Sequence, residues 1–157
     1  VESVDQRIAV RPYRSADLTK VVALWHASKR KAFPYVAVQQ QRTLEDDTVH
    51  FRDVIAEECD VWLAEDGDQI VGFMAVKDDF IDQLFVRIGA QRRGVGIVLL
   101  EKAQELSPSR LRAYTFQKNA AARAFFEKHG FRVVSTGVSP WPENEPDLEY
   151  VWHKSEE

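Results

Sequence analysis

One cysteine, one methionine and seven glycines in 157 residues exclude a good deal at the outset. With Cys59 alone, neither an intramolecular disulfide nor a cysteine-rich zinc site can form. The four histidines, His26, His50, His129 and His153, show no metal-ligand spacing, so no metal is expected. Basic residues are not in excess: 21 Lys and Arg stand against 25 Asp and Glu, a net charge of −4. The footprint of nucleic-acid binding is therefore missing. No apolar run reaches membrane-spanning length, and VESVDQRI at the start holds no leader core, so neither a membrane nor secretion is expected. Repeats, low-complexity tracts and linkers are lacking too. What is left, 45% apolar and 29% charged, has the composition of a soluble, cytoplasmic protein folded as a single domain over residues 1–157.

The periodicity then supplies elements. Residues 7–13 (RIAVRPY) alternate as a first strand, and Ser15 can cap a helix carrying Leu18, Val21, Val22 and Trp25 at helical spacing. Lys31–Gln41, with Phe33-Pro34-Tyr35 at its centre, breaks that pattern and reads as a loop. A second helix is expected from about Thr43 to Glu57, with Leu44, Phe51, Val54 and Ile55 on one side. VWLAE, Asp66-Gly67 and QIVGFMAV form a hairpin signal, and FIDQLFVRI (80–88) is a further strand. Val95 to Leu106 reads as a helix with Val95, Leu99, Ala103 and Leu106 on one face, stopped by Ser107-Pro108. After the strand RLRAYTF (110–116), Asn119 caps a helix that ends at Gly130. FRVVSTGV and DLEYVWHK close the chain. The order β-α-α-β-β-β-α-β-α-β-β makes the fold α/β (α+β), a mixed sheet of about seven strands.

Between the strand FIDQLFVRI and the helix IVLLEKAQEL lies QRRGVG. It is no Walker loop, because Gly-Lys-Ser/Thr is absent, and no dinucleotide fingerprint, because it has two glycines late in the chain. As Gln-x-x-Gly-x-Gly entering a helix it can still hold an anion. Gly94 and Gly96 let a ligand approach the backbone, and the first helical turn points unpaired N–H groups and a favourable dipole at it. Arg92 and Arg93 can add charge-assisted bonds of roughly 1.5–3 kcal/mol each. The competing reading of the same residues is an ordinary strand-to-helix turn with solvated arginines.

About 25 residues further on stands NAAARAFFEKHGF (119–131). Together QRRGVG and NAAARAFFEKHGF resemble the two signature segments of the GNAT acetyltransferase superfamily, and the element order is similar over essentially the whole chain. The resemblance implies a mostly antiparallel sheet with helices on both faces, and acetyl-CoA as cosubstrate. The backbone of Gln91, Arg92, Arg93, Gly94, Val95 and Gly96 would hold the pyrophosphate. The strand with Leu84, Phe85 and Val86 would pair with the pantetheine arm, in a V-shaped slot where it splays from RLRAYTF. Asn119, Ala122 and Phe125 would line the coenzyme. Read from the residues alone, Asn119 is also an adequate N-cap and Phe125 an adequate core residue.

An attacking amine must be neutral, and a lysine-like amine of pKa about 10.4 is held back at pH 7 by roughly 4–5 kcal/mol. Asp78, Asp79 and Asp82 are the candidate bases. Asp82 is chosen because strand parity sets it on one face with Leu84 and Val86, the alternative being a solvated carboxylate at a strand entrance. A backbone N–H near Phe85 or Val86 can stabilise the oxyanion. Many relatives carry tyrosine, as general acid to the departing thiolate, where this chain has Phe126. Tyr114 or water can substitute, and Tyr114 can equally be packing. Cys59 behind Glu57-Glu58 is no nucleophile, since acidic neighbours raise its pKa. The resemblance places a small-molecule or peptide amine acceptor around Phe33-Pro34-Tyr35 and Trp141, where Asp46, Asp47, Asp78, Asp79 and Asp82 can supply an acidic field. Two readings compete: an N-acetyltransferase acting by direct attack in a ternary complex, and a non-catalytic acyl-CoA sensor, which Phe126 favours. The family also allows a homodimer, and the acyl chain length stays open.

Overall fold

The computed structural model describes residues 7–155. The beginning of the segment inspected for a leader lies outside the described residues. Strand β1 (Ile8–Pro12) leads through a 3-10 turn (Ser15–Asp17) into helix α1 (Leu18–Ala32). Helix α2 (Ala37–Gln41) and helix α3 (Leu44–His50) follow, and α3 passes through a π turn (Phe51–Ile55) into α4 (Ala56–Glu58). Strands β2 (Asp60–Asp66), β3 (Gln69–Lys77) and β4 (Phe80–Val86) precede helix α5 (Val95–Leu106). Strand β5 (Arg110–Phe116), helix α6 (Ala120–Lys128), and strands β6 (Arg132–Val138) and β7 (Pro146–His153) complete the chain.

The sheet runs β1-β2-β3-β4-β5-β7-β6, and among the described strands only β4 and β5 pair in parallel. Helices cover both faces, as expected. On one, α5 and α6 bury Val95, Leu99, Phe126 and Phe131 against Met74, Leu111 and Tyr150. On the other, α1 and the π turn bury Val21, Val22, Trp25, Phe51 and Ile55 against Leu63 and Phe73.

Several local expectations need correction. Ser15 does not cap α1: the Asp17 carboxylate accepts from the Arg14 N–H at 2.8 Å, and both its oxygens take the Arg11 guanidinium at 2.9 Å. Residues 37–41, read as loop, form a turn of helix that the Gln40 amide ties to the Arg30 and Phe33 carbonyls. The second helix begins where expected, and the Thr43 hydroxyl caps it by accepting from the Asp46 N–H. Its apolar face divides, however. Leu44, in the first turn of α3, is exposed, and while Phe51 and Ile55 are buried Val54 is not, because the wider π turn breaks the 3.6-residue register there. The hairpin turns at Gly67-Asp68 rather than Asp66-Gly67. Strand β4 stops two residues short at Val86, where the Ala90 N–H folds back onto the Arg87 carbonyl at 2.9 Å. Leu106 at the end of α5 is exposed.

Candidate active site

β4 and β5 touch through only two register pairs, Phe80 with Arg112 and Ile81 with Ala113. Beyond that vertex β5 pairs onward with β7 while β4 keeps β3, so the two strands part. Facing backbone edges with no strand between them form a V-shaped slot, an edge geometry suited to pairing with an extended ligand. From Val86 back to Asp82 the wall measures about 13 Å at the usual rise per residue.

At the open end of the slot stands the N-terminus of α5. Gly94 takes a left-handed φ of +82°, a conformation that turns the chain sharply into the helix. The first intrahelical bond runs from the Val98 N–H to the Gly94 carbonyl, which leaves the N–H groups of Val95, Gly96 and Ile97 outside the helical ladder. Gln91 braces this loop with its side chain, accepting from the Gly89 N–H at 2.8 Å. Arg92 is exposed, at a φ of +69°. Arg93 is drawn aside to Asp66, 2.8 Å away, so the arginine expected to help hold an anion is partly neutralised within the fold. Gly96 also has a different neighbour from the one expected. A Cβ there would come within 3.1 Å of the Phe125 ring, so the missing side chain admits α6 rather than a ligand.

Asn119 is the N-cap of α6, its oxygen accepting from the Ala122 N–H at 3.2 Å. Phe125 is half-buried beside Gly96 and His129. Phe126 lies in the core, stacked on Tyr150 and touching Phe131, while the Tyr150 hydroxyl donates to Glu127. Leu84 and Val86 pack on the α5 face and Phe85 on the α1 face, stacked on Phe73.

Parity fails at Asp82. Gln83 pairs with Ala75 but Ile81 with Val76, so a β-bulge falls at Asp82. The extra residue turns Asp82 away from Leu84 and Val86 and toward Gln83, whose amide donates to it at 3.2 Å. Its charge is felt instead on the α1–α3 side, by His50 and Cys59. Even so, Asp82 and Tyr114 each stand one residue beyond the last pair joining β4 to β5. Tyr114 is half-exposed and packs on Phe80. Of the other two candidate bases, Asp79 is engaged. Asp79 takes Arg110 at 2.8 Å and Arg112 at 3.3 Å, and despite partial burial these bonds hold it below its usual range. Asp78 occupies a left-handed turn position.

The expected acidic field dissolves in the same way. Asp46 serves as part of the α3 cap. Asp47 is 1% exposed and takes His26 at 2.7 Å, Lys29 at 2.9 Å and Arg42 at 2.7 Å. Burial alone would push its carboxyl up, and these donors outweigh it. Burial pulls the Lys29 ammonium down, only partly offset by Asp47. Cys59 is pushed up to about 11 chiefly by burial and next by Asp82, ahead of the Glu58 named from the sequence.

Periodicity had no means of finding the groups on the other side of the slot. Phe33 and Tyr35 meet Phe116 of β5, and Phe33 also meets Phe85 of β4, closing an aromatic wall. Beside it the Tyr35 hydroxyl and Glu145 Oε2 are buried without a hydrogen-bond partner. Lys118 Nζ lies 5.3 Å over the Tyr35 ring and 3.8 Å from Glu145 Oε2. Trp141 is 82% exposed. Among the described residues no His, Cys, Asp and Glu cluster suits a metal, and no helix is long and apolar enough to cross a membrane.

The sequence model of the Acetyltransferase (GNAT) domain matches residues 57–133, from the end of α4 through the slot to the start of β6. Peptidyl-lysine N-acetyltransferase YjaB of Escherichia coli is 31% identical over 128 residues, 81% of this chain and 84% of that protein. This chain belongs to the GNAT acetyltransferase family. The GNAT chain is also 26% identical to peptidyl-lysine N-acetyltransferase YiaC of Escherichia coli, over 85% of its own length and 96% of that protein's. The solution structure of apo YjaB superposes with a TM-score of 0.73 at 27% identity, covering 92% of this chain and 97% of that one. The PaiA N-acetyltransferase of Thermoplasma acidophilum, solved in complex with coenzyme A, shares the fold at a TM-score of 0.71 and 15% identity, over 94% and 99% of the two chains.

Proposed function

We propose that residues 1–157 act as one domain that transfers the acetyl group of acetyl-CoA to the side-chain amine of a lysine in a peptide or protein. The observation that carries this reading is the open seam between β4 and β5 with the α5 N-terminus at its mouth. The N–H groups of Val95, Gly96 and Ile97 suit the pyrophosphate, and the free edge of β4 at Leu84, Phe85 and Val86 suits the amides of the pantetheine arm. Gln91 and Gly94 hold the loop for that contact, Arg92 is the arginine left to face it, and Asn119, Ala122 and Phe125 form the α6 side. The coenzyme-A complex of the PaiA fold relative agrees with this choice of cosubstrate.

Two observations support lysine as the acceptor. The relatives YjaB and YiaC are named peptidyl-lysine N-acetyltransferases. Lys118, with Nζ 5.3 Å over the Tyr35 ring and 3.8 Å from Glu145, supports the reading that this aromatic and carboxylate surface suits an ammonium group. Asp82, at the vertex, removes the proton from the incoming ammonium, directly or through water. A backbone N–H of the bulged β4 stabilises the oxyanion, and Tyr114 stands where it can return a proton to the departing thiolate. Phe126, deep in the core, takes no part. The cytoplasm, which holds acetyl-CoA, is the fitting compartment.

The test is thiol release from acetyl-CoA with a panel of a lysine peptide, an N-terminal-amine peptide and a polyamine. The lysine peptide is expected to accelerate release most, and Asp82→Asn to lower kcat at least tenfold with acetyl-CoA affinity unchanged. Binding of acetyl-CoA without release for any amine would turn the reading toward a sensor, and absence of binding would overturn it.

A further inference from the structure

The hydrogen bonds at the β4 bulge lead from the slot back into the core. The bulge brings two adjacent side chains, Asp82 and Gln83, together. Gln83 Oε1 accepts from the indole N–H of Trp25 at 3.1 Å. An indole nitrogen only donates, so the amide oxygen must face it and the amide nitrogen is forced the other way, to within 3.2 Å of Asp82 Oδ2. Trp25 is itself fixed. It is 2% exposed, with Lys29 Nζ 3.4 Å above its ring and His50 stacked at 5.9 Å. Lys29 in turn is bound by Asp47, which His26 and Arg42 also hold. A buried ion cluster between α1 and α3 thus ends, three contacts later, on the carboxylate just beyond the last β4–β5 pair.

We propose that Gln83 is a positioning residue, which through Trp25 fixes the orientation of the Asp82 carboxylate. The inference rests on the reading of Asp82 as the proton acceptor. Exposed aspartates ordinarily rotate freely about χ2, whereas here one oxygen is engaged by a donor that cannot turn away. A donor and a like charge at position 83 act on a neighbouring carboxylate with opposite sign, so the pH profile of Gln83 variants reads this contact directly. The other titratable groups on this face are His50 from α3, Cys59 ahead of β2, and around Cys59 the charges of Glu58, Asp60 and Lys77.

Gln83→Glu separates positioning from packing, because it keeps an acceptor for the Trp25 N–H while replacing the donor to Asp82 with a like charge. The acid limb of kcat/KM for a lysine peptide is expected to move up by about one pH unit, a tenfold loss on that limb, with acetyl-CoA affinity and melting temperature retained. Gln83→Met, uncharged and of similar shape, is expected to move the limb the same way by less, and it serves if the glutamate disturbs folding. Asp82→Asn assigns the limb. A crippled Asp82→Asn enzyme alongside Gln83 variants whose limb superimposes on the parent overturns the role of Gln83 and leaves Asp82 standing. An Asp82→Asn enzyme with parental turnover and the same acid limb overturns both.

Discussion

Gly96 and Asp47 show how much a single position carries here. The Phe125 ring fills the space a Cβ would take at Gly96, so Gly96→Ala must shift α6 against the first turn of α5. A loss of about 1–2 kcal/mol is expected, with weaker acetyl-CoA binding, measured by denaturant titration and calorimetry. Asp47 is buried against Lys29, Arg42 and His26, and removing its charge strands the ammonium and the guanidinium. Asp47→Asn should cost about 3–5 kcal/mol. At this scale the sequence was half legible. QRRGVG and NAAARAFFEKHGF marked where the glycine turn into α5 and its partner helix stand, since backbone requirements leave glycines and caps at fixed spacing. The reasons at individual positions were not readable. Gly96 serves a phenylalanine on another helix, Arg93 goes to Asp66, and Asp47 is no part of an acidic field. Each outcome depends on a contact 27 or more residues away, or on a neighbouring helix, and no spacing rule contains it.

Elements were legible wherever one period governed them. β5, α5 and α6 stand almost where their patterns predict, because each presents one apolar face to the core. Where the period changes inside an element, the reading failed twice: at the π turn and at the β4 bulge. Both follow from one extra residue, and both turn side chains from the face that regular geometry assigns. The π turn makes a sharp prediction. Phe51→Ala should cost about 3–5 kcal/mol, and Val54→Ser, on the same predicted face but exposed, no more than about 0.5 kcal/mol, both read from urea midpoints. The entry to α1 makes another. Bonds from Arg11, opposed by burial, hold Asp17 at about 2, below an unfolded value of about 3.9. A depressed carboxyl stabilises the fold above its unfolded value, and that stability drains away as pH falls through the folded one. Asp17→Asn should therefore be about 2 kcal/mol weaker than the parent at pH 7, and the gap should shrink steadily between pH 4 and pH 2.

At the scale of the molecule, the element order was enough to suggest the fold, and the partial pairing of β4 with β5 was foreseen only through the family resemblance. Nothing local in FIDQLFVRI or RLRAYTF says that two strands will meet at two residues and then part. A ligand at saturation, 100 times its Kd, adds about 2.7 kcal/mol, which should raise the melting temperature by on the order of 5 °C for a chain of this size. Hydrogen exchange offers a finer check, with acetyl-CoA expected to slow exchange in β4, β5 and the first turn of α5 and to leave β1 untouched.

That two-pair junction has a further consequence. The sheet is a four-strand ribbon and a three-strand ribbon hinged at Phe80–Arg112 and Ile81–Ala113, and what lies in the gap replaces the missing ladder. Should acetyl-CoA seat there as proposed, it is a removable strand of the protein as well as its reagent. Each turnover would then withdraw a piece of architecture and restore it, so resistance to proteolysis should rise with acetyl-CoA concentration.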